Sequence, residues 1–163
     1  MALRNRDFLS AYEPPRPDAY YTIEGQRAVI EVDGERWSDG SRFAFGAFLS
    51  SGRLAGRVAL DNIVMGAWRN ATLGYYVDRE LNGRGVATRA VALAVDFAFE
   101  RLGLHRVQAG IMPRNAASAR VVGKLGFRHE GLAERYLYIG GSWEDHDIYA
   151  LTVEDWRAPR LVR

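Results

Sequence analysis

Two stretches of this chain carry residues of a type and spacing that could do chemistry. The first is Leu81-Asn82-Gly83-Arg84-Gly85-Val86-Ala87-Thr88-Arg89-Ala90, where two glycines flank an arginine and a small-residue helix is predicted to follow at once. A helix N-terminus presents unpaired N–H groups and the positive end of the helix dipole, so a phosphate fits there. Gly83 and Gly85 would let it approach the backbone, Arg84 could reach over it, and Thr88 could add a hydroxyl. The loop lacks the Gly-Lys-Ser/Thr ending of a P-loop, and Thr88 breaks G-x-G-x-x-G. A tight turn needing φ > 0 would also explain both glycines. The second stretch opens a later helix: Asn115 is a good N-cap, and Ser118, three residues on, is either an ordinary polar residue of the first turn or a functional hydroxyl. His105, His129 and His146 lack metal-ligand spacing, no metal is expected, and no Ser–His–Asp order is evident.

The elements that must position these residues follow from punctuation and periodicity. The 163 residues suit one domain, 1–163, with 48% apolar and 26% charged residues and a net charge of +2. That charge excludes a nucleic-acid cation of the usual kind, and the absence of cysteine excludes disulfides and thiolate sites. The N-terminus is too charged for a signal peptide, and Val86 to Phe99 is too polar to span a bilayer, so a cytoplasmic protein without membrane contact is expected. Lys124 is the only lysine among 22 basic residues, which suits either biased codon usage or bidentate anion contacts. Arg4 to Tyr12 reads as a short helix ended by Pro14, Pro15 and Pro17. Asp18 is expected to cap a helix from about Ala19 into the thirties, weakened by Gly25 and Gly34. Phe43–Leu49, Leu54–Val64 and Thr72–Val77 read as an antiparallel meander. The helix after the glycines is predicted to run to Leu102. A strand around Val107–Ile111, a helix from Asn115 to Gly126, and a hairpin of Phe127–Ile139 with Trp143–Val153 complete the chain. The crossover from 72 to 111 predicts a parallel strand pair.

Asn82-Gly83-Arg84-Gly85-Val86-Ala87 resembles the Q/R-x-x-G-x-G/A signature of the GNAT N-acetyltransferases, with Asn82 replacing the usual Gln or Arg. "MPRNAASARVVGKLGFRHEG" (112–131) resembles the second CoA-contacting helix of the RimJ/RimL branch, and "YLYIGGSWEDHDIYALT" and "NRDFLSAYEPPRPD" resemble the RimJ type. The resemblance spans nearly the whole chain. It implies an α/β (α+β) GNAT fold: a mixed, mostly antiparallel sheet flanked by helices and splayed where acetyl-CoA binds. The backbone of Tyr75, Tyr76 and Val77 would pair with the pantetheine arm. The amides of Asn82, Gly83, Arg84, Gly85, Val86, Ala87 and Thr88 would hold the pyrophosphate, with Asn115 and Ser118 as further cofactor contacts. Many relatives place a proton-donating tyrosine where this chain has Val122; in the RimL-like branch the serine of N-x-x-S takes that role, which implies Ser118 as the catalytic acid.

The resemblance leaves the base unassigned, because Leu137 occupies the position of the family's glutamate. Glu130, Glu134, Asp145 and His146 lie near it in sequence and read as surface or hairpin charges. Tyr12 and Glu13 would form one wall of the acceptor groove. Tyr136, Tyr138 and Trp143 would line the other, or simply pack the hairpin. Family members carry a further strand and most of a helix before the segment matching "RNRDFL", so the sheet is expected to lack that first strand and to expose Phe43–Leu49 as its edge. The implied activity is acetyl-CoA-dependent acetylation of a protein N-terminal α-amine, a ribosomal protein being the expected partner. The alternatives are acetylation of a small amine, such as a polyamine or drug, and an idle CoA-binding domain. No direct nucleic-acid partner is expected, and the chain would be a monomer or homodimer.

Overall fold

The computed structural model describes residues 1–156; the last residues of the expected domain, 157–163, lie outside these. Six strands form one sheet: β1 (Phe43–Phe48), β2 (Leu54–Val64), β3 (Asn70–Val77), β4 (Arg106–Ile111), β5 (Arg128–Ile139) and β6 (Ser142–Thr152), in the spatial order β1-β2-β3-β4-β6-β5. All neighbours are antiparallel except β3 and β4, which are parallel as the crossover predicts. β1 is a sheet edge among the described residues, with Phe48 66% exposed.

Among the described residues four α-helices flank the sheet: α1 (Arg6–Ser10), α2 (Ile23–Ser38), α3 (Val86–Asp96) and α4 (Ala116–Lys124). Several boundaries differ from expectation. Asp18 starts a 3-10 turn, Asp18–Tyr21, and does not cap α2; Thr22 does, its Oγ1 accepting from the Gly25 N–H at 3.0 Å. Gly25 is therefore a requirement of the corner and not a weakness of the helix. A Cβ there would lie 1.9 Å from the Ala19 carbonyl oxygen, against which the turn folds. β3 starts two residues early, at Asn70. The helix after the glycines is regular only to Asp96 and closes with a wider π-turn, Phe97–Arg101. That turn keeps Ala98 and Phe99 buried while Phe97 reaches the rings of Trp37, Phe43 and Phe45, at 5.6, 5.3 and 5.2 Å.

The main core fills one face of the sheet. Leu60, Val91, Val95, Val107, Val122 and Leu151 are fully buried, joining α3 and α4 to β2, β4 and β6. Side chains alternate across a strand, so Arg57, Thr72, Tyr76, Gln108 and Gly110 point to the other face. There Asp33 of α2 pairs with Arg57 and, at 3.5 Å, with Arg42.

The N-terminal segment is tied to the end of β3 by a buried polar knot. Asp78 pairs with Arg4 and, at 2.8 Å, with Arg53, and Asn5 donates to it at 3.2 Å. Asn5 in turn accepts from the Arg79 N–H at 2.9 Å. Burial alone would raise the Asp78 pKa, but hydrogen bonds from Arg4, Arg53 and Asn5 outweigh it and hold the carboxyl well below the usual carboxylate range.

Candidate active site

The site begins where β3 and β4 part. Their pairing covers only Asn70↔Arg106, Ala71↔Val107 and Thr72↔Gln108. Beyond it, Leu73–Val77 remains paired to β2 on one side, and Ala109–Ile111 to β6 on the other. The backbone edges of Gly74–Val77 and Ala109–Ile111 therefore face each other across a gap in the sheet.

On the α3/α4 side of that gap, the glycine loop leads into α3. Gly83 and Gly85 adopt φ +76 and +77, where a side chain is strained, and a Cβ at either would meet nothing within 4 Å. The turn thus requires both glycines, and both face open space. Gly85 is the N-cap of α3 and supplies no side-chain cap, so no cap side chain covers the first-turn N–H groups. Asn82 and Arg84 are exposed, Val86 and Ala87 pack beside Val77 and Leu81, and Thr88 is buried at 8% exposure. Such a loop, opening beside a strand gap, fits an extended cofactor with a pyrophosphate at one end.

Asn115 caps α4, its Oδ1 accepting from the Ser118 N–H at 3.1 Å. Ser118 faces Tyr75, an engagement that sequence reasoning missed. The two hydroxyl oxygens are 2.6 Å apart, and the Tyr75 hydroxyl also lies 3.0 Å from the Ser118 carbonyl oxygen, to which it can donate. Burial pushes the Tyr75 phenol up to about 12, against a smaller lowering by the Ser118 hydrogen bond, so it stays protonated at neutral pH.

Tyr76, the next residue, points to the opposite face. Its phenol is raised first by burial and then by Tyr20 beside it, while Arg57 lowers it and Glu13 raises it further. Glu13 follows α1, its N–H bonded to the Leu9 carbonyl at 3.0 Å. Across the gap, Tyr136 covers Gly110: a Cβ there would lie 3.2 Å from its ring and 3.7 Å from the His146 Cβ. Tyr136 also packs on His146 at 5.6 Å. Arg114 joins the two sides, pairing with Glu144 of β6 and donating to the Ala11 carbonyl at 3.3 Å. Tyr12 and Glu13 are thereby held toward the hairpin that carries Tyr136.

The remaining expected residues fall elsewhere. Trp143 alternates away from Glu144 and His146 and packs on Tyr138 at the exposed hairpin tip, 5.7 Å between rings, so the structure does not bring it to Tyr136. His146, expected as a hairpin charge, is 3% exposed, with Nδ1 2.9 Å from the Glu144 carbonyl oxygen. Glu130 is taken up by Arg106, and Asp145 accepts from the Arg135 N–H at 2.7 Å, closing the β5 bulge. His105 and His129 sit half-exposed beside Glu154 and Asp147.

Comparison with known proteins gives the family. Residues 2–128 match the acetyltransferase (GNAT) domain family. The chain is 46% identical over 152 residues to the probable N-acetyltransferase YjcK of Bacillus subtilis, covering 93% of this chain and 84% of that one. It is 34% identical over 157 residues to the ribosomal protein uS5-alanine N-acetyltransferase of Escherichia coli, covering 96% and 81%. Mycobacterium smegmatis RimJ, solved with CoA-disulfide, superposes with a TM-score of 0.89 at 32% identity, over 93% of this chain and 74% of that one. The chain belongs to the GNAT family, the N-acetyltransferases that draw their acetyl group from acetyl-CoA.

Proposed function

We propose that this enzyme acetylates the N-terminal α-amine of a protein, a ribosomal protein with a small first residue such as alanine. The observation that carries the reading is the pair of unlike faces at the β3–β4 gap: Ser118 and Tyr75 on one, Glu13 and Tyr136 on the other. Acetyl-CoA, laid along the gap with its pyrophosphate at residues 82–88, would present its thioester between them. The amine nitrogen attacks the carbonyl carbon, the C–S bond breaks, and the Ser118 hydroxyl, backed by Tyr75, protonates the leaving thiolate.

The choice of amine rests on its availability. An α-amine of pKa about 7.7–8.0 is roughly 10–17% neutral at pH 7, whereas a lysine at about 10.4 is neutral only about 0.04% of the time. That several-hundredfold difference is about 3.4–3.8 kcal/mol that a lysine acetylase must offset. The relative named for uS5 alanine supports the same choice, and Tyr136 lying close over Gly110 favours a small first side chain.

The test is mass spectrometry of peptides incubated with enzyme and acetyl-CoA. A free Ala-first peptide should gain one acetyl group on its α-amine. A peptide with that amine blocked and an internal lysine should stay unmodified. Equal turnover of the blocked peptide, or of spermidine, would overturn the reading.

A further inference from the structure

We propose that Glu13 is the general base of the reaction, accepting the amine proton from the face of the β3–β4 gap opposite Ser118. This rests on the acetyl transfer proposed above and adds the group that the family pattern leaves unfilled, since Leu137 stands where a glutamate is expected.

The argument is one of placement. Tyr75 and Tyr76 are consecutive on the freed edge of β3, and consecutive side chains of a strand point to opposite faces. Tyr75 holds Ser118 on one face; on the other, the face of Gly110, Arg114 pairs with Glu144 and bonds the Ala11 carbonyl at 3.3 Å, which seats the Glu13 turn on the side of Tyr76. Acid and base thus flank the same two residues of the lip. The arrangement suits addition–elimination at the thioester carbonyl, with a base at the amine and an acid at the sulfur of one tetrahedral intermediate.

The state of the carboxylate supports the role. Glu13 is half-buried, and among the described residues no hydrogen bond or ion pair engages its carboxylate, although Arg16 and Arg57 lie near enough to act through space. Of the other acidic groups near the hairpin, Glu144 is held by Arg114, Glu130 by Arg106 and Asp145 by a backbone N–H, while Glu134 is exposed on β5. Burial raises the Glu13 pKa, with Arg16 and then Arg57 opposing, which moves it toward the working range of a base. Its backbone is fixed from two directions, by the Leu9 carbonyl and, through Ala11, by Arg114.

The proton account closes without a further reactant. A bound ammonium gives one proton to the Glu13 carboxylate and its nitrogen forms the C–N bond. Glu13 passes that proton to solvent and, again a carboxylate, takes the second N–H proton as the C–N bond forms; collapse breaks the C–S bond and the thiolate takes a proton from Ser118. Solvent re-equilibrates both side chains.

The experiment compares wild type, Glu13→Gln and Glu13→Asp with acetyl-CoA and an Ala-first peptide from pH 6.5 to 9. Without the carboxylate, turnover should follow the fraction of amine already neutral. The activity of Glu13→Gln relative to wild type should then rise about 15- to 30-fold across that range, for an amine of pKa about 7.7–8.0. Glu13→Asp should recover part of the loss at pH 6.5. Away from activity, calorimetric CoA affinity should be unchanged. The Tm of Glu13→Gln should equal or exceed wild type, because a half-buried carboxylate without a partner opposes folding. A relative activity that stays flat with pH, or a lower Tm with a uniform loss, would overturn the base assignment and leave Glu13 a structural residue. A wild type that acetylates no α-amine would overturn the proposed function, and this inference with it.

Discussion

Replacing Ser118 and Tyr75 separately and together tests whether they act as one unit. The leaving group is a thiol, for which a pKa of about 8.5 is the side-chain reference. It departs readily, so acid assistance belongs at the low end of the usual range, about 100-fold. Ser118→Ala should therefore lower kcat about 100-fold, roughly 2.7 kcal/mol. Tyr75→Phe removes one phenol whose oxygen lies 2.6 Å from the Ser118 hydroxyl and 3.0 Å from its carbonyl. A neutral hydrogen bond of this kind contributes about 0.5–1.5 kcal/mol, so kcat should fall about 10-fold at most. If Tyr75 acts only through Ser118, the double variant should match Ser118→Ala; if the two act independently, the losses multiply to about 1,000-fold. Thiol release under saturating acetyl-CoA and peptide, with chemistry limiting, reads the difference directly. Calorimetric CoA affinity should change little in all three. A full multiplicative loss would refute the coupling, and an unchanged kcat in Ser118→Ala would return that residue to a capping turn.

Gly85→Glu should abolish acetyl-CoA binding, whereas Gly85→Ala, which carries the same φ +77 strain without charge, should lose far less; equal calorimetric affinities for the two would refute a phosphate at this loop. Asp78→Asn should destabilise the fold by about 2–3 kcal/mol at pH 7, from charged hydrogen bonds lost at a buried carboxyl, lowering Tm by roughly 4–12 °C. Because the folded pKa of Asp78 is depressed, its contribution is present above the unfolded value of about 3.9 and lost as pH falls through the folded one. The gap between the two Tm curves should therefore begin to close below about pH 4 and keep shrinking as pH falls toward the folded value, and a constant gap in acid would contradict this.

The strands and the parallel pair were legible because β-branched and aromatic alternation and glycine punctuation are local signals. The glycine loop was legible as a turn for the same reason. What could not be read depends on which face a residue meets. Tyr75-Tyr76 in sequence is one aromatic pair, and only the sheet separates the phenol that meets Ser118 from the one beside Glu13. Gly25 reads as a poor helix residue until the Ala19 carbonyl is placed against it. The π-turn at Phe97 answers a demand from Trp37, 60 residues earlier, and periodicity within one helix cannot register that. His146 looks like a hairpin charge because its burial comes from Tyr136 across a bulge, whose position no alternation pattern reveals.

The parting of β3 from β4 also has a kinetic meaning. A gap with chemically unlike faces gives the molecule two doors rather than one. On the proposed reading the cofactor would not need to leave before the acceptor arrives, and neither would have to pass the other. An acetyl group can then move directly between two guests held at once, with no acetylated protein as a stopover, so double-reciprocal plots should intersect rather than run parallel.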